Sequence, residues 1–346
     1  MSEKPGGRDD WTAAAVEEVA PGVHRIPLPL PNDNLRAVNV YAVLDGSGLL
    51  LIDSGWAVPD ARERLEAALE SLDCSIGDID RFLITHIHRD HFTQAITLRR
   101  EFGTKVSLGA GERSSLEILQ DPDRPPLEPQ LHQLLRYGAG RLVEEIVAGM
   151  AGHEPPDRSE WEFPDDWLGD GEVVVASGRE LTVIETPGHT RGHVVFHDLA
   201  GRLLFAGDHV LPAITPSIGF EPLLSLDPLG EFLGALARVR ARPDALLLPA
   251  HGPVAASVHA RVDELVDHHG RRLAEVEAAV GVGGETAFDV AGLLRWTRRE
   301  RTLDELDHFN QMLAVAETGA HLALLIAQGR VARVLDGEVY RYLPAG

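Results

Sequence analysis

FLITHIHRDHFTQA, residues 82–95, changes its period halfway along. RFLIT at 81–85 is a brief apolar run with the length and flanks of a buried strand, whereas His91 to Phe102 repeats with helical spacing. Between the two stand His86, His88, Asp90 and His91, packed into six residues. Alternation along the extended part sends His86 and His88 to one side. The turn into the helix re-aims Asp90 and His91, so two groups of donors can face two neighbouring positions. Imidazole nitrogen and carboxylate oxygen suit Zn²⁺ at about 2.0–2.2 Å. One such histidine alone would be read as a packing or surface residue. Four donors at the C-terminal end of a strand, where open α/β sheets gather their ligands, point to a metal site.

The same arrangement recurs downstream. ELTVIETPGHTRGH (180–193) places His189 just past an apolar run, with Pro187 and Gly188 shaping the turn; LLFAGDHV (203–210) does so for Asp208 and LLLPAHGPV (246–254) for His251. Loops seated on a rigid sheet can hold donors to the tolerance a metal demands.

Around these runs the chain alternates strand and helix. VHRIPL (23–28), VNVYAVLD (38–45) and LLLIDSG (49–55) read as strands, and a helix begins at Pro59, where proline is tolerated in the first turn. KVSLG (105–109) is strand-like. Strands return at GEVVVA, ELTVIETPG, HVVFHD and RLLFAGD, and a helix near 227–240 leads to ALLLP (245–249). The pattern predicts an α/β (α+β) chain built as a four-layer αββα sandwich. Within it, residues 111–170 form a helical insertion with Pro-rich breaks and with Trp161, Phe163 and Trp167 close together. Helices at 257–280, 286–296 and 302–329 follow, then VARVLDGEVYRYL with a hairpin turn at Asp336-Gly337. The expected organisation is a loose arm over 1–20, a catalytic domain over 21–256 with its insertion capping the site, and a small winged-helix-like unit over 257–346.

Composition narrows the function. The net charge of −22, with only Lys4 and Lys105 as lysines, repels phosphate backbones unless basic residues are gathered. No run approaches the roughly 18 apolar residues of a membrane span. The first residues lack an apolar leader core, and the lone Cys74 allows no intrachain disulfide, so a reducing cytoplasm is expected.

His86-x-His88-x-Asp90-His91, together with His189, Asp208, His251 and the upstream Leu-Ile-Asp53-Ser-Gly run, resembles the metallo-β-lactamase superfamily over residues 20–255, less the insertion. The C-terminal extension resembles that of lactamase-beta-2-like proteins. The resemblance implies that His86, His88 and His189 hold one metal ion, that Asp90, His91 and His251 hold another, and that Asp208 bridges them. Asp53 would orient a ligand rather than bind metal. It implies two divalent ions, zinc first, with iron or manganese also admissible, and hydrolysis by hydroxide generated there near neutral pH. Asp90 would orient that hydroxide and pass a proton to the leaving atom.

The apolar content of the insertion suggests a small-molecule substrate with an ester-type bond: a thioester, ester or lactone. Two alternatives stay open. Arg295, Arg298, Arg299 and Arg301 around Trp296 would suit an endoribonuclease with a winged-helix tail. Residues 289–346 nevertheless carry seven Arg against eight Asp or Glu, which disfavours a nucleic-acid partner. A persulfide dioxygenase with a single iron would use the same scaffold. The sequence leaves homo-oligomerisation open. His209 is expected to point away from Asp208, and His193 and His197 to support or pack. His24, His132, His153, His259, His268, His269, His308 and His321 have no ligand-like context.

Overall fold

The computed structural model describes residues 11–13, 15–31, 35–44, 48–125, 127–150 and 158–345. Its first sheet contains, in spatial order, β1 (Glu17–Ala20), β2 (Val23–Pro29), β3 (Ala37–Leu44), β4 (Leu49–Ile52), β5 (Ile79–Ile84), β6 (Lys105–Gly109) and β7 (Asp166–Leu168). Pairing is antiparallel as far as β4 and parallel from β4 to β7. The second sheet comprises β8 (Val173–Ala176), β9 (Arg179–Glu185), β10 (Val194–Asp198), β11 (Leu203–Gly207) and β12 (Leu246–Pro249); only β11 and β12 pair in parallel.

The helices are α1 (Pro59–Glu70), α2 (Arg89–Phe102), α3 (Arg113–Gln120), α4 (Glu128–Arg136), α5 (Gly140–Met150), α6 (Pro228–Arg240), α7 (Val258–Gly281), α8 (Ala287–Leu293) and α9 (His308–Ala327). A hairpin of β13 (Val331–Asp336) and β14 (Val339–Pro344) closes the chain.

The period of two along each strand explains the layering. Tyr41, Leu50, Ile52 and Leu83 of the first sheet meet Val183, Phe196, Phe205 and Leu248 of the second, with Tyr41 edge-on to Phe205 at 5.5 Å. The alternate residues Val40, Leu51, Phe82 and Ile84 face Leu65, Leu69, Phe92 and Ile96 of α1 and α2. On the far side, Ile184, Val195, Leu204 and Leu247 face α6, α7 and α9 through Phe232, Leu236, Val262, Leu265 and Leu322. This is the four-layer αββα sandwich. Each fully buried Leu, Ile or Phe contributes roughly 1.5–3 kcal/mol relative to exposure.

Several details depart from the sequence reading. Residues 1–10 and 14 of the expected arm lie outside the described residues, whereas Glu17–Ala20 pair with β2 as β1. The apolar stretch from 129 to 150 is two helices, because Gly138 adopts φ +81°. A Cβ there would stand 2.8 Å from Thr286 Oγ1. Asp166–Leu168 leaves the helical insertion and adds to β6 as an edge strand. The last helix starts at His308 rather than 302, since Asp307 accepts from the Asn310 amide at 3.0 Å as its N-cap.

The two tryptophans of the insertion are engaged in packing, and Phe163 is exposed. Trp161 stacks on Phe92 at 6.0 Å, Phe163 stands edge-on to Trp167, and the Arg113 guanidinium covers Trp167. Trp161 therefore packs on α2. Helices α4 and α5 pack through Leu134, Leu142 and Val143 into the core that α9 shares. No helix among the described residues is long and apolar enough to cross a membrane.

Candidate metal centre

The donors sit in the loops that follow β4, β5, β9, β11 and β12, at one rim of the sandwich. β5 delivers Thr85 and His86. His88 is the N-cap residue of α2 without using its side chain for the cap, and Asp90 and His91 occupy the first helical turn. An acidic side chain is stabilised there by the helix dipole. Gly188 has φ +131° and lies against Phe232, where a Cβ would come within 2.4 Å of the Phe232 Cβ; the His189 loop can follow this path only with glycine.

Two groups of donors result. His86, His88, His189 and Asp208 present atoms within 4.8 Å of one another, and so do Asp90, His91 and His251. His86 Nε2 and His189 Nε2 each lie 3.0 Å from His88 Nδ1. Asp208 turns Oδ2 toward His189 Nε2 at 3.4 Å. Its Oδ1 faces His251 Nε2 at 3.3 Å and His91 Nε2 at 3.7 Å. Asp90 Oδ2 is 3.4 Å from His251 Nε2 and 3.5 Å from His91 Nε2. The structure thus brings every expected ligand together. His88 and Asp90 are the partly exposed members; the others are buried.

A layer of hydrogen bonds fixes the tautomers. His189 Nδ1 donates to the Ser217 carbonyl and His251 Nδ1 to the Ala37 carbonyl, both at 2.8 Å. Asp53, with φ +59°, turns its carboxylate back into the site. Its Oδ2 accepts from His91 Nδ1 at 2.8 Å, and its Oδ1 accepts from the Thr85 amide at 2.8 Å. The Thr85 hydroxyl also donates to Asp53, so its oxygen is left to accept from His86 Nδ1 at 3.1 Å. His86 and His189 consequently aim unprotonated Nε2 atoms at His88. At most one proton lies among three converging nitrogens.

The electrostatics divide the same way. Burial, reinforced by neighbouring imidazoles, holds His86 well below the usual range, His88 at about 3 and His189 low. For His91, burial opposes charge, but Asp90, Asp53 and Asp208 outweigh it and lift the ring to about 10. His251 is raised against burial by Asp208 and Asp90. Burial would raise Asp90 and Asp208, yet the surrounding histidines keep both below the carboxylate range. The carboxylates call for positive charge, and the first histidine group offers lone pairs. His91 Nε2, His251 Nε2 and Asp208 Oδ1 are buried without a hydrogen-bond partner among the described residues. This donor set fits divalent cations.

A family model described as "Metallo-beta-lactamase superfamily" matches residues 33–251. The chain belongs to that superfamily. As a member it is an enzyme, a metal-dependent hydrolase. Among its relatives, the "Probable metallo-hydrolase" of Bacillus subtilis is 26% identical over 323 residues, covering 91% of this chain and 94% of that protein. An atrochrysone carboxyl ACP thioesterase of a Cryptosporiopsis species is 25% identical over 266 residues, 77% of this chain and 65% of that protein. A crystal structure of a metallo-beta-lactamase family protein from Thermus thermophilus superposes with a TM-score of 0.77 at 28% identity, covering 94% of this chain and 100% of that one.

Supporting residues stand behind the metallo-β-lactamase rim, and of the two roles expected for His193, support or packing, the structure shows support. His193 Nε2 accepts from the Asp208 amide at 3.1 Å, while its Nδ1 meets Thr186 Oγ1 at 2.8 Å. Its place in the Gly188-to-His193 turn was the available signal. Glu112 is buried, takes the Thr190 hydroxyl, and touches Gly192 so closely that a Cβ there would lie 2.1 Å from the Glu112 nitrogen. Burial first, then the charge of Glu221, pushes Glu112 up to about 8. Nothing local in the sequence marks Glu112. His209 is buried edge-on to Phe232, outside both donor groups. Trp296 is buried and donates its indole N–H to the Ala291 carbonyl at 2.9 Å, so it is no stacking platform for a base.

Proposed function

We propose that the chain hydrolyses an ester-type bond of a small molecule, with a thioester as first choice, using two divalent cations, zinc by preference. The carrying observation is the splay of Asp208. One carboxylate oxygen faces the His86, His88 and His189 group, and the other faces His91 and His251. A carboxylate so shared between two donor groups would let Asp208 help hold a cation in each. The thioesterase relative supports the substrate class.

Two cations held by these residues would lower the pKa of a water and polarise the carbonyl under attack. The protein's own groups do the rest. Asp53, Ser217 and Ala37 keep His91, His189 and His251 in the ligating tautomer. Asp90 is held anionic by His91 and His251 and reaches the partly exposed side of the site. It is the group to accept the proton of the attacking water at its carboxylate and return it to the leaving sulfur or oxygen. The buried donors behind it exclude bulk water, which strengthens each electrostatic contact.

The test is a screen of acyl-thioesters, simple esters and lactones, with wild type and Asp208→Ala side by side. Turnover of one class that zinc restores after chelation, and that Asp208→Ala lacks, supports the proposal. Turnover that survives Asp208→Ala contradicts it.

A further inference from the structure

Buried histidines collect a second time, beyond α6. Phe232 stands edge-to-face with His209 at 5.1 Å and with His269 at 5.5 Å, so its ring lies between the metal rim and the α7–α9 packing. His268 and His269 are consecutive on α7, and Glu317 comes from α9. One donor atom from each lies within 4.8 Å of the others.

The hydrogen bonds around this trio fix which atoms are available. His321 Nδ1 donates to the Glu317 carbonyl at 2.8 Å, which leaves its Nε2 as an acceptor. His269 Nδ1 lies 3.2 Å from that Nε2 and donates to it. His269 is thereby held as the tautomer whose Nε2 carries a lone pair. That Nε2 is buried, belongs to a fully buried residue, and has no hydrogen-bond partner among the described residues. Buried polar atoms without a partner are rare and call for an explanation.

Charge at this place agrees with a cation. Burial keeps His268 below its ordinary value and His269 at about 2, so both rings are neutral near pH 7. Burial lifts Glu317 to about 6, and above that it is a carboxylate. Arg272 lies nearby, but its guanidinium donates to Glu275 at 3.0 Å and to the Arg295 carbonyl at 2.9 Å while covering the Trp296 ring. Two of its guanidinium nitrogens are thus engaged by α7 and the chain after α8, while its charge holds Glu317 toward the anionic form. Two neutral imidazoles with one carboxylate make a donor set for a first-row transition cation rather than for calcium or magnesium.

We propose that His268, His269 and Glu317 form a separate site for a divalent transition-metal cation that clips α7 to α9. Cation binding there selects the folded state, because the unfolded chain does not hold donors from two distant helices together.

Full-length wild type, His268→Ala and Glu317→Gln are equilibrated with zinc, passed through gel filtration and counted by elemental mass spectrometry. Each variant is expected to carry about one zinc ion per chain fewer than wild type. The rise in Tm on adding zinc is also expected to be smaller for each variant than for wild type. The same one-ion loss is expected when the two substitutions are made on an Asp208→Ala background, which separates this site from the rim. Should His268→Ala fail to give a folded circular-dichroism spectrum, the near-isosteric Glu317→Gln carries the comparison. Equal zinc content in wild type and Glu317→Gln, on both backgrounds, overturns the proposal.

Discussion

Asp53→Asn separates orientation from ligation at the rim, and the structure sets its size. Asp53 Oδ2 accepts the Nδ1 proton of His91 at 2.8 Å, and Oδ1 accepts the Thr85 amide at 2.8 Å. An asparagine can keep the Thr85 bond through its carbonyl, but its amide then faces His91 Nδ1 as a donor. To accept it, His91 must carry its proton on Nε2, the nitrogen 3.5 Å from Asp90 and 3.7 Å from Asp208. A protonated Nε2 cannot ligate. Loss of such an orienting partner weakens metal binding by about 10- to 100-fold, or about 1.4–2.7 kcal/mol. Asp53→Ala is a poorer probe, because it orphans the Thr85 amide, the Thr85 hydroxyl and His91 Nδ1 together. Each buried donor so stranded costs roughly 1–3 kcal/mol of stability. The assay is competition with a chromophoric zinc chelator, read alongside Tm. The weaker of two binding steps should fall by the stated factor in Asp53→Asn, with the other step and Tm nearly unchanged. Wild-type affinity at both steps would refute the tautomer argument.

Other consequences can be checked separately. His193→Ala strands the Asp208 amide, so turnover of the substrate found by screening should fall about 10- to 100-fold with the fold retained; an unchanged kcat counts against a positioning role. Trp161→Ala removes the ring stacked on Phe92, so it should lower stability by roughly 1–3 kcal/mol and leave KM alone; a raised KM would return this aromatic to the substrate. In the metal-free protein, Glu112 has a folded pKa of about 8 against an ordinary 4.5, so the folded state holds a proton that the unfolded chain gives up. Its cost is absent below pH 4.5 and grows up to about pH 8, so the stability of Glu112→Gln relative to wild type should climb by up to about 1.4 kcal/mol per pH unit across that window. Parallel melting curves at pH 5, 6 and 7 would contradict the assignment.

What the sequence reveals here is what periodicity and local spacing encode. The strand-to-helix switch at Thr85 and the polar residue after each later strand were enough to name His86, His88, Asp90, His91, His189, Asp208 and His251. Asp53 was legible only through the family resemblance carried by the Leu-Ile-Asp53-Ser-Gly run. Contacts made only through tertiary packing were not. Glu112 acts through Thr190 and Gly192, and Ser217 and Ala37 act through carbonyls that carry no residue signature. The insertion was ambiguous for a related reason. Trp161 and Trp167 look equally apolar whether they line a mouth or pack on α2, and only the fold places Phe92 beneath Trp161. His268 and His269 carried no ligand spacing within α7, since Glu317 reaches them from another helix.

Metal content, measured on protein purified without chelators, bears most directly on the two-cation hydrolase. Elemental mass spectrometry of wild type beside Asp208→Ala and His268→Ala counts the rim apart from the α7–α9 site. About two divalent ions per chain, zinc foremost, should remain in His268→Ala and be lost from Asp208→Ala. A rim that takes up no metal from zinc, manganese or iron, or that holds a single iron, would contradict it.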